Sequence, residues 1–127
     1  GRVFWNSAGC GGTRTAAITG AYVALHQAAL HLVRQNAVSS MPLRGAVAAT
    51  SVGIVGGEML LDLCYEEDAR ADVDFNVVMT DEGKFVELQG TAEGETFDRG
   101  TMDSLVAVAQ RGIESLLEIQ RSVVKRL

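Results

Sequence analysis

The chain has 127 residues, of which 47% are hydrophobic and 21% charged, and its formal net charge is -5. This length favours one domain that folds without disulfide or metal staples, and the composition excludes an intrinsically disordered chain. Cys10 and Cys64 lie far apart and outside any Cys/His cluster, which argues against a disulfide scaffold and a structural zinc site. His, Gln or Gly interrupts every apolar stretch before it reaches the roughly 20 residues of a membrane span. We therefore expect a reduced, cytoplasmic compartment and no membrane contact.

The charges are distributed unevenly along the chain. Residues 1–57 contain no Asp or Glu, whereas residues 58–103 hold 14 of the 16 acidic residues. A basic, glycine-rich front and an acidic middle would suit an anion site next to a carboxylate site that attracts metal. Acidic residues that merely solvate exposed strands and turns produce the same pattern, and charge alone favours this second interpretation.

The first predicted element is a helix that begins after Gly11–Thr15 and ends before Asn36. Its apolar residues recur at spacings of three and four, which indicates one buried stripe. The stripe consists of Ile18, Ala21, Tyr22, Leu25, Ala28, Ala29, Leu32 and Val33. Thr13 or Thr15 is the expected N-cap.

The middle of the chain has the pattern of four strands in two hairpins. The predicted strands are Ala46–Val55, Glu58–Tyr65, Asp72–Thr80 and Lys84–Thr91. Gly56-Gly57 and Asp81-Glu82-Gly83 are typical hairpin turns. Alternation in the third strand assigns one face to Val73, Phe75, Val77 and Met79 and the other to Asp72, Asp74 and Asn76.

The last element is a helix with an apolar stripe from Met102 to Val124, for which Asp98 or Thr101 is the expected cap. The order is therefore helix, two β-hairpins, helix. This order predicts an α+β fold in which the helices pack on one face of a mostly antiparallel sheet.

Gly11-Gly12-Thr13-Arg14-Thr15 is a candidate anion site because it leads into the first helix. Glycines allow a tight turn, the first N–H groups of a helix attract anions, and Arg14 adds a planar cation suited to phosphate. The run lacks the lysine and the spacing of a Walker A loop, and it does not match a dinucleotide-binding fingerprint. Spacing alone slightly favours the alternative, a glycine turn with a threonine cap and a solvated arginine.

A second candidate site is an acidic cluster that consists of Glu66, Glu67, Asp68, Asp72 and Asp74. Clustered carboxylates repel one another, so a fold that keeps them together usually binds a cation or raises a pKa. Magnesium, which binds one or two carboxylates together with substrate phosphates, would suit phosphoryl transfer. An edge strand protected by its charges explains the cluster equally well.

Four stretches of the chain carry a family resemblance when they are taken together. They are GGTRTAAITGAYVAL (11–25), VAATSVGIVGGEMLLDLCYEEDARADVDFNVVMT (47–80), VELQGTAEGETF (86–97) and GIESLLEIQ (112–120). In content and order they resemble the bacterial ribonuclease PH family of phosphorolytic exoribonucleases, to which polynucleotide phosphorylase and catalytic exosome subunits are more distantly related. Residues 11–127 then correspond to the C-terminal half of a ribonuclease PH domain, and residues 1–10 form a divergent or non-native N-terminal segment.

The resemblance implies roles for five residues. Gly12, Thr13 and Arg14 match the phosphate-binding residues of the family. Asp68 and Asp74 match its paired catalytic aspartates, which are associated with a divalent cation that we expect to be Mg²⁺. Inorganic phosphate is the co-substrate in this family: it attacks the terminal phosphodiester of RNA and releases a nucleoside diphosphate.

The implied function is a phosphate-dependent 3′→5′ exoribonuclease, a nucleotidyltransferase that trims transfer-RNA precursors and other RNA 3′ ends, ribosomal RNA included. The implied partners are RNA and further copies of the chain in a hexameric ring of dimers. Two alternatives stay open: a non-catalytic RNA-binding or ring-assembly subunit of the same family, and a generic divalent-metal protein. A non-catalytic subunit would be free to lose Arg14, Asp68 or Asp74, and this chain retains all three.

Overall fold

The computed structural model describes residues 12–127. Their elements in chain order are α1 (Thr13–Arg34), β1 (Val47–Val55), β2 (Glu58–Leu61), α2 (Tyr65–Asp68), β3 (Val73–Thr80), β4 (Phe85–Ala92) and α3 (Arg99–Val124). The predicted order of a helix, two hairpins and a helix is confirmed, with the short α2 as an addition. The segment 1–10, predicted to be divergent, lies outside the described residues.

The four strands of the described chain form one antiparallel sheet in the order β2-β1-β3-β4. Gly56 and Gly57 form the first hairpin turn with φ angles of 57° and 80°, which glycine adopts without a steric penalty. Strand β1 pairs with β3 along nearly its whole length, whereas β2 pairs only with residues 52–55 of β1. The edge of β1 that faces away from β3 is therefore not covered by β2 along its first half.

Helix α1 lies along this edge of β1. The Thr19 hydroxyl accepts a hydrogen bond from the Ala49 N–H (3.1 Å) and donates one to the Ala49 carbonyl (3.3 Å). The buried Gln120 amide of α3 donates to the carbonyls of Thr19 (2.8 Å) and Val47 (2.9 Å). Buried polar groups need such partners, so these bonds fix α1 against both β1 and α3.

One face of the sheet is apolar and packs against α3. From β1 and β3 it contributes Ala48, Val52, Val73, Phe75, Val77 and Met79, all buried. From α3 it receives Leu105, Ala109, Ile113 and Leu117, whose spacing of four places them on one side of the helix. The predicted alternation of β3 and the predicted apolar stripe of α3 are therefore confirmed, and the two apolar surfaces together form the core.

The apolar stripe predicted for α1 is buried only in part. Ala29 is buried, whereas Leu25 and Leu32 are 55% and 42% exposed.

The start of the first helix also differs from its prediction. Its N-cap is Gly12 in a left-handed conformation, with φ of 76°, rather than Thr13 or Thr15. The Thr15 side chain is buried, and its hydroxyl donates back to the Gly12 carbonyl at 2.9 Å. At α3 the predicted cap is confirmed, because the Asp98 carboxylate accepts from the Thr101 N–H at 2.7 Å.

Strand β2 ends at Leu61 instead of the predicted Tyr65. The reason is Asp62, whose φ of 59° is incompatible with an extended strand. The chain then turns into α2, where the Glu67 carboxylate accepts from the Cys64 N–H at 2.9 Å. Asp68 is the last residue of this helix.

The sequence-based exclusion of a membrane span was too strict for α1. An 18-residue window of this helix has a mean hydropathy of 1.3, enough by length and composition to cross a membrane. The interrupting polar residues lower that average only slightly. Core helices of soluble proteins meet the same criterion, and Thr19 and Gln120 bond α1 to the rest of the described fold. The property is therefore weak evidence for a span.

Candidate functional site

The second face of the sheet, opposite α3, is polar. Asp74 and Asn76 project from it in β3, between apolar residues that point the other way. Residues paired across an antiparallel sheet share a face, so their β4 partners Thr91 and Gln89 extend the same surface, and alternation along β4 adds Glu87, which pairs with Val78. We call this surface the polar face; it consists of Asp74, Asn76, Glu87, Gln89 and Thr91.

Asp74 is the most perturbed group on the polar face. Its Oδ1 atom is buried without a hydrogen-bond partner among the described residues. Partial burial raises the pKa of Asp74, and the negative charges of Asp68 and Glu93 raise it further. The structure thus brings Asp68 within electrostatic range of Asp74, and it adds Glu93, which the sequence analysis missed. An unpartnered carboxylate oxygen beside like charges is the arrangement that a bound cation would relieve.

Local backbone bonds explain how these carboxylates come together. The Asp68 carbonyl accepts from the Ala71 N–H at 3.2 Å, which ends α2 just before β3. The Asp72 carbonyl accepts from the N–H groups of Glu93 (2.8 Å) and Gly94 (3.1 Å), so the end of β4 is fixed beside the start of β3. Contact between the two strand ends, rather than sequence proximity, places Glu93 near Asp74.

The predicted acidic cluster is therefore divided between different tasks. Glu67 caps α2 through its carboxylate, and Asp72 is tied to the end of β4 through its carbonyl. Within residues 12–127, no three His, Cys, Asp or Glu side chains converge as a complete metal site. A cation at Asp68 and Asp74 would need further ligands from water or substrate, which is the usual behaviour of magnesium.

The start of α1 forms the second part of the site. Gly12 has a left-handed φ, and a Cβ at this position would lie 3.2 Å from the Thr15 Oγ1 and 3.4 Å from the Asp62 Oδ1. Thr13 and Arg14 follow as the first two residues of the helix. The N-terminal N–H groups of a helix are not used by its own carbonyls and carry partial positive charge, which favours an anion.

Asp62 is an acidic neighbour of this helix start that the sequence analysis did not single out. Partial burial raises the pKa of Asp62, and the Glu67 charge raises it further. The Asp62 N–H donates to the Ser51 carbonyl at 2.8 Å, and Ser51 pairs with Asn76 of β3. The helix start is therefore level with the middle of the polar face, two residues along β3 from Asp74.

Arg14 reaches across to the polar face and forms an ion pair there. Its Nη2 donates to the Glu87 Oε2 at 2.5 Å, and the two side chains are 56% and 30% exposed. The glycine-rich motif indicates Arg14 but not Glu87, because the two residues lie 73 positions apart. The only sequence signal for Glu87 is its place in the alternating stretch 86–97.

Comparison with known proteins places the chain in a family. Residues 45–112 match the 3′ exoribonuclease family, domain 2. This chain belongs to that family. It is 55% identical over 117 residues to Ribonuclease PH from Synechococcus sp. (strain JA-2-3B'a(2-13)), covering 90% of this chain and 48% of that protein. It is 54% identical over 115 residues to Ribonuclease PH from Solibacter usitatus (strain Ellin6076), covering 91% and 48%.

The chain thus spans about half the length of the curated relatives it matches. Its fold is similar to that in the crystal structure of rice (Oryza sativa) Rrp46, with a TM-score of 0.68 over 91% of this chain and 49% of that one. Sequence identity to that protein is 15%, so this similarity concerns the fold alone. The α+β, ribonuclease PH-like fold and the family resemblance inferred from sequence are both confirmed.

Proposed function

We propose that this chain carries the catalytic residues of a phosphate-dependent 3′→5′ exoribonuclease that trims transfer-RNA precursors and other RNA 3′ ends. The observation that carries the proposal is one shared surface. The start of α1 with Arg14 and the carboxylates of Asp68 and Asp74 adjoin the polar face of the sheet. Membership of the 3′ exoribonuclease family and 55% identity to a Ribonuclease PH support the same reaction class.

Inorganic phosphate would bind at the start of α1. The N–H groups of Gly12, Thr13 and Arg14 offer donors at the positive end of a 22-residue helix, and the Arg14 guanidinium offers a fixed charge. A planar guanidinium binds phosphate oxygens in pairs, so Arg14 would orient the nucleophile as well as neutralise it. Holding the attacking oxygen in line with the phosphodiester is the main catalytic contribution open to this part of the site.

Asp68 and Asp74 would hold the divalent cation, which we expect to be Mg²⁺. The unpartnered Oδ1 of Asp74 and its raised pKa fit a position that gains from a bound cation. When bound, the ion supplies positive charge for the attacked phosphoryl group and the leaving oxygen. Asp68 and Asp74 also exclude RNA phosphates from binding here without a cation, because like charges repel.

The chemical step is a transfer of the terminal nucleotide to phosphate. A phosphate oxygen forms a bond to the phosphorus of the last phosphodiester, and the bond from that phosphorus to the 3′ oxygen of the preceding nucleotide breaks. The 3′ oxygen leaves with the electron pair and takes up a proton. The products are a nucleoside diphosphate and an RNA that is one residue shorter, without a covalent enzyme intermediate.

We also propose that the protein acts in the cytoplasm as a hexameric ring built from dimers. Similarity to Ribonuclease PH supports this assembly, and sedimentation of the purified protein at several concentrations tests it. A species that stays monomeric at all concentrations would contradict the ring.

The reaction is tested with a 3′-labelled transfer-RNA precursor and Mg²⁺, with and without inorganic phosphate. The assay measures nucleoside diphosphate release by this chain alone and by a chimera, in which it replaces the matching stretch of the Synechococcus Ribonuclease PH. We expect phosphate-dependent release from the chimera. A chimera that folds and binds RNA but releases nothing would favour the non-catalytic subunit.

Arg14→Ala in the chimera tests the phosphate assignment. We expect phosphate use to fall by about 10- to 100-fold, because a charge-assisted contact to the nucleophile is lost. Arg34→Ala is the matched control: Arg34 ends the same helix and donates to the Leu127 carbonyl at 2.8 Å, far from the proposed site. Equal losses in both variants would show a structural effect and count against a phosphate-binding role for Arg14.

A further inference from the structure

We infer that Glu87 is a positioning residue that holds Arg14 in the phosphate-free protein and is displaced from it by inorganic phosphate. Glu87 thereby lowers the affinity of the site for phosphate. This inference rests on the proposed function, because it assigns Arg14 to phosphate. It adds a residue of β4 that neither the sequence motifs nor the family match assigned.

The ion pair itself is the first observation. Arg14 is the second residue of α1, yet its guanidinium reaches Glu87 on the polar face, with Nη2 2.5 Å from Oε2. Glu87 is the one residue of β4 that is partly buried rather than exposed. The pair is therefore a specific contact between two distant segments of the chain.

The second observation is the position of Glu87 along the sheet. Glu87 pairs with Val78, which lies four residues from Asp74 along β3. At about 3.3 Å per residue, this separates the Arg14 contact from Asp74 by about 13 Å along the polar face. The helix start is level with Asn76, closer to Asp74. The resting position thus draws the Arg14 guanidinium toward the end of the polar face farthest from the paired aspartates.

Phosphate and Glu87 compete for the same cation. Both present oxygens to the planar guanidinium, and a phosphate bound beside Arg14 would also be repelled by the Glu87 carboxylate. Arg14 is more than half exposed, so the pair is weak and readily exchanged. Its removal should therefore strengthen phosphate binding about two- to fivefold, within the range of an exposed ion pair.

The test measures inorganic phosphate binding to the 127-residue chain by amide chemical shifts of Gly12 and Arg14, for the unaltered chain and for Glu87→Gln. We expect about two- to fivefold tighter binding in the variant. Glu82→Gln is the matched control: it removes the same charge from a pair of similar length, 2.8 Å from Lys84 Nζ, at the neighbouring hairpin turn. This control should leave phosphate affinity unchanged.

A variant without Arg14 separates the effect of the ion pair on phosphate affinity from the effect of general charge repulsion. In Arg14→Met protein, Glu87→Gln should tighten phosphate binding less than in the unaltered chain, because the competition for Arg14 has been removed and only the repulsion between Glu87 and phosphate remains. In the chimera, Glu87→Gln should lower the KM for phosphate and leave kcat unchanged, which a general structural change would not do. Glu87→Asp, with a shorter side chain, should give an intermediate affinity for phosphate. It replaces Glu87→Gln in the binding test if that variant does not fold.

The outcomes distinguish this inference from the proposed function. Equal or weaker phosphate binding in Glu87→Gln would overturn the role of Glu87, while Arg14-dependent binding in the unaltered chain would leave the proposed function intact. Phosphate that shifts neither Gly12 nor Arg14 in any variant would overturn both. A gain of the same size in the Arg14→Met background would show general repulsion and also overturn the inference.

Discussion

The two faces of the sheet use the same strands for opposite purposes. On the apolar face, β3 packs Val77 and its neighbours against α3, and Leu105 there is completely buried. On the polar face, Asp74 has an unpartnered buried oxygen, and Arg14 is paired with Glu87. The apolar face satisfies its groups within the fold, whereas the polar face leaves groups that ligands would satisfy.

The difference follows from the way each face is assembled. Two periodic elements are enough for the apolar face, since hydrophobic burial is non-directional and tolerates many side chains. The polar face needs groups from α1, α2, β3 and the end of β4 at defined positions. Stability should therefore be lost most readily on the apolar face and activity on the polar face.

The largest effect is expected from Asp74→Asn or Asp68→Asn in the chimera. Either change should reduce nucleoside diphosphate release by about 100- to 1000-fold or more, because the charge that would hold the cation is halved. Circular dichroism should show an unchanged fold. Asp103→Asn, on an exposed part of α3, is the control and should retain activity. Full activity in either of the first two variants would contradict the assignment.

A loss of stability rather than of activity is expected from Leu105→Ala on the apolar face. This side chain is 0% exposed, so its truncation leaves a cavity and should lower the free energy of unfolding by about 2–5 kcal/mol. Leu25→Ala, at a position on α1 that is 55% exposed, should cost less than about 1 kcal/mol. Urea unfolding of the 127-residue chain measures both values, and similar losses would mean that α3 does not form the core.

The smallest effect concerns the pH-dependent contribution of Asp74 to folding stability. The pKa of Asp74 is raised by partial burial and by Asp68 and Glu93, so the folded chain binds its proton more tightly than the unfolded chain. The contribution of Asp74 to folding stability is complete below the ordinary aspartate pKa, and it is lost as the pH rises through the raised pKa of Asp74. Asp74→Asn should therefore raise Tm near neutral pH, by about 1–3 °C. Mg²⁺ should raise the Tm of the unaltered chain but not of this variant.

Asp98 provides the contrast to Asp74, because its pKa is shifted in the opposite direction. Hydrogen bonds from Thr101 lower the pKa of Asp98, so its contribution is present above the ordinary aspartate pKa and is lost as pH falls through the lowered value. Asp98→Asn should lower Tm near neutral pH, because a charged N-cap is lost from α3. A fall in Tm with Asp74→Asn as well would show that its carboxylate stabilises the fold.

Local patterns determined most of the fold. Glycine turns, alternation in β3 and the spacing of four in α3 each depend on residues close together in the chain, so the two hairpins and the core face were predictable. The errors occurred where tertiary contacts override local preference. Asp62 takes a left-handed conformation that ends β2, and Gly12 replaces a threonine as the cap of α1.

Gly53 illustrates a requirement that only the folded chain reveals. A Cβ at this position would lie 2.5 Å from the Val73 carbonyl oxygen and 2.8 Å from Leu63 Cδ1. The absence of a side chain leaves room for Leu63 to pack against Gly53, beside its pairing partner Asp74. Nothing in the local sequence pattern distinguishes this glycine from one in a flexible strand.

The sequence by itself determined the family, the two-hairpin α+β order and the residues Gly12, Thr13, Arg14, Asp68 and Asp74 as candidates, because these depend on residue type, spacing and resemblance. Tertiary structure alone decided which charges meet. Glu93 lies near Asp74 because the end of β4 bonds to the start of β3, and Glu87 meets Arg14 because α1 lies beside the sheet. Electrostatic interactions act through space, and distances in space between remote segments are fixed only when the chain has folded.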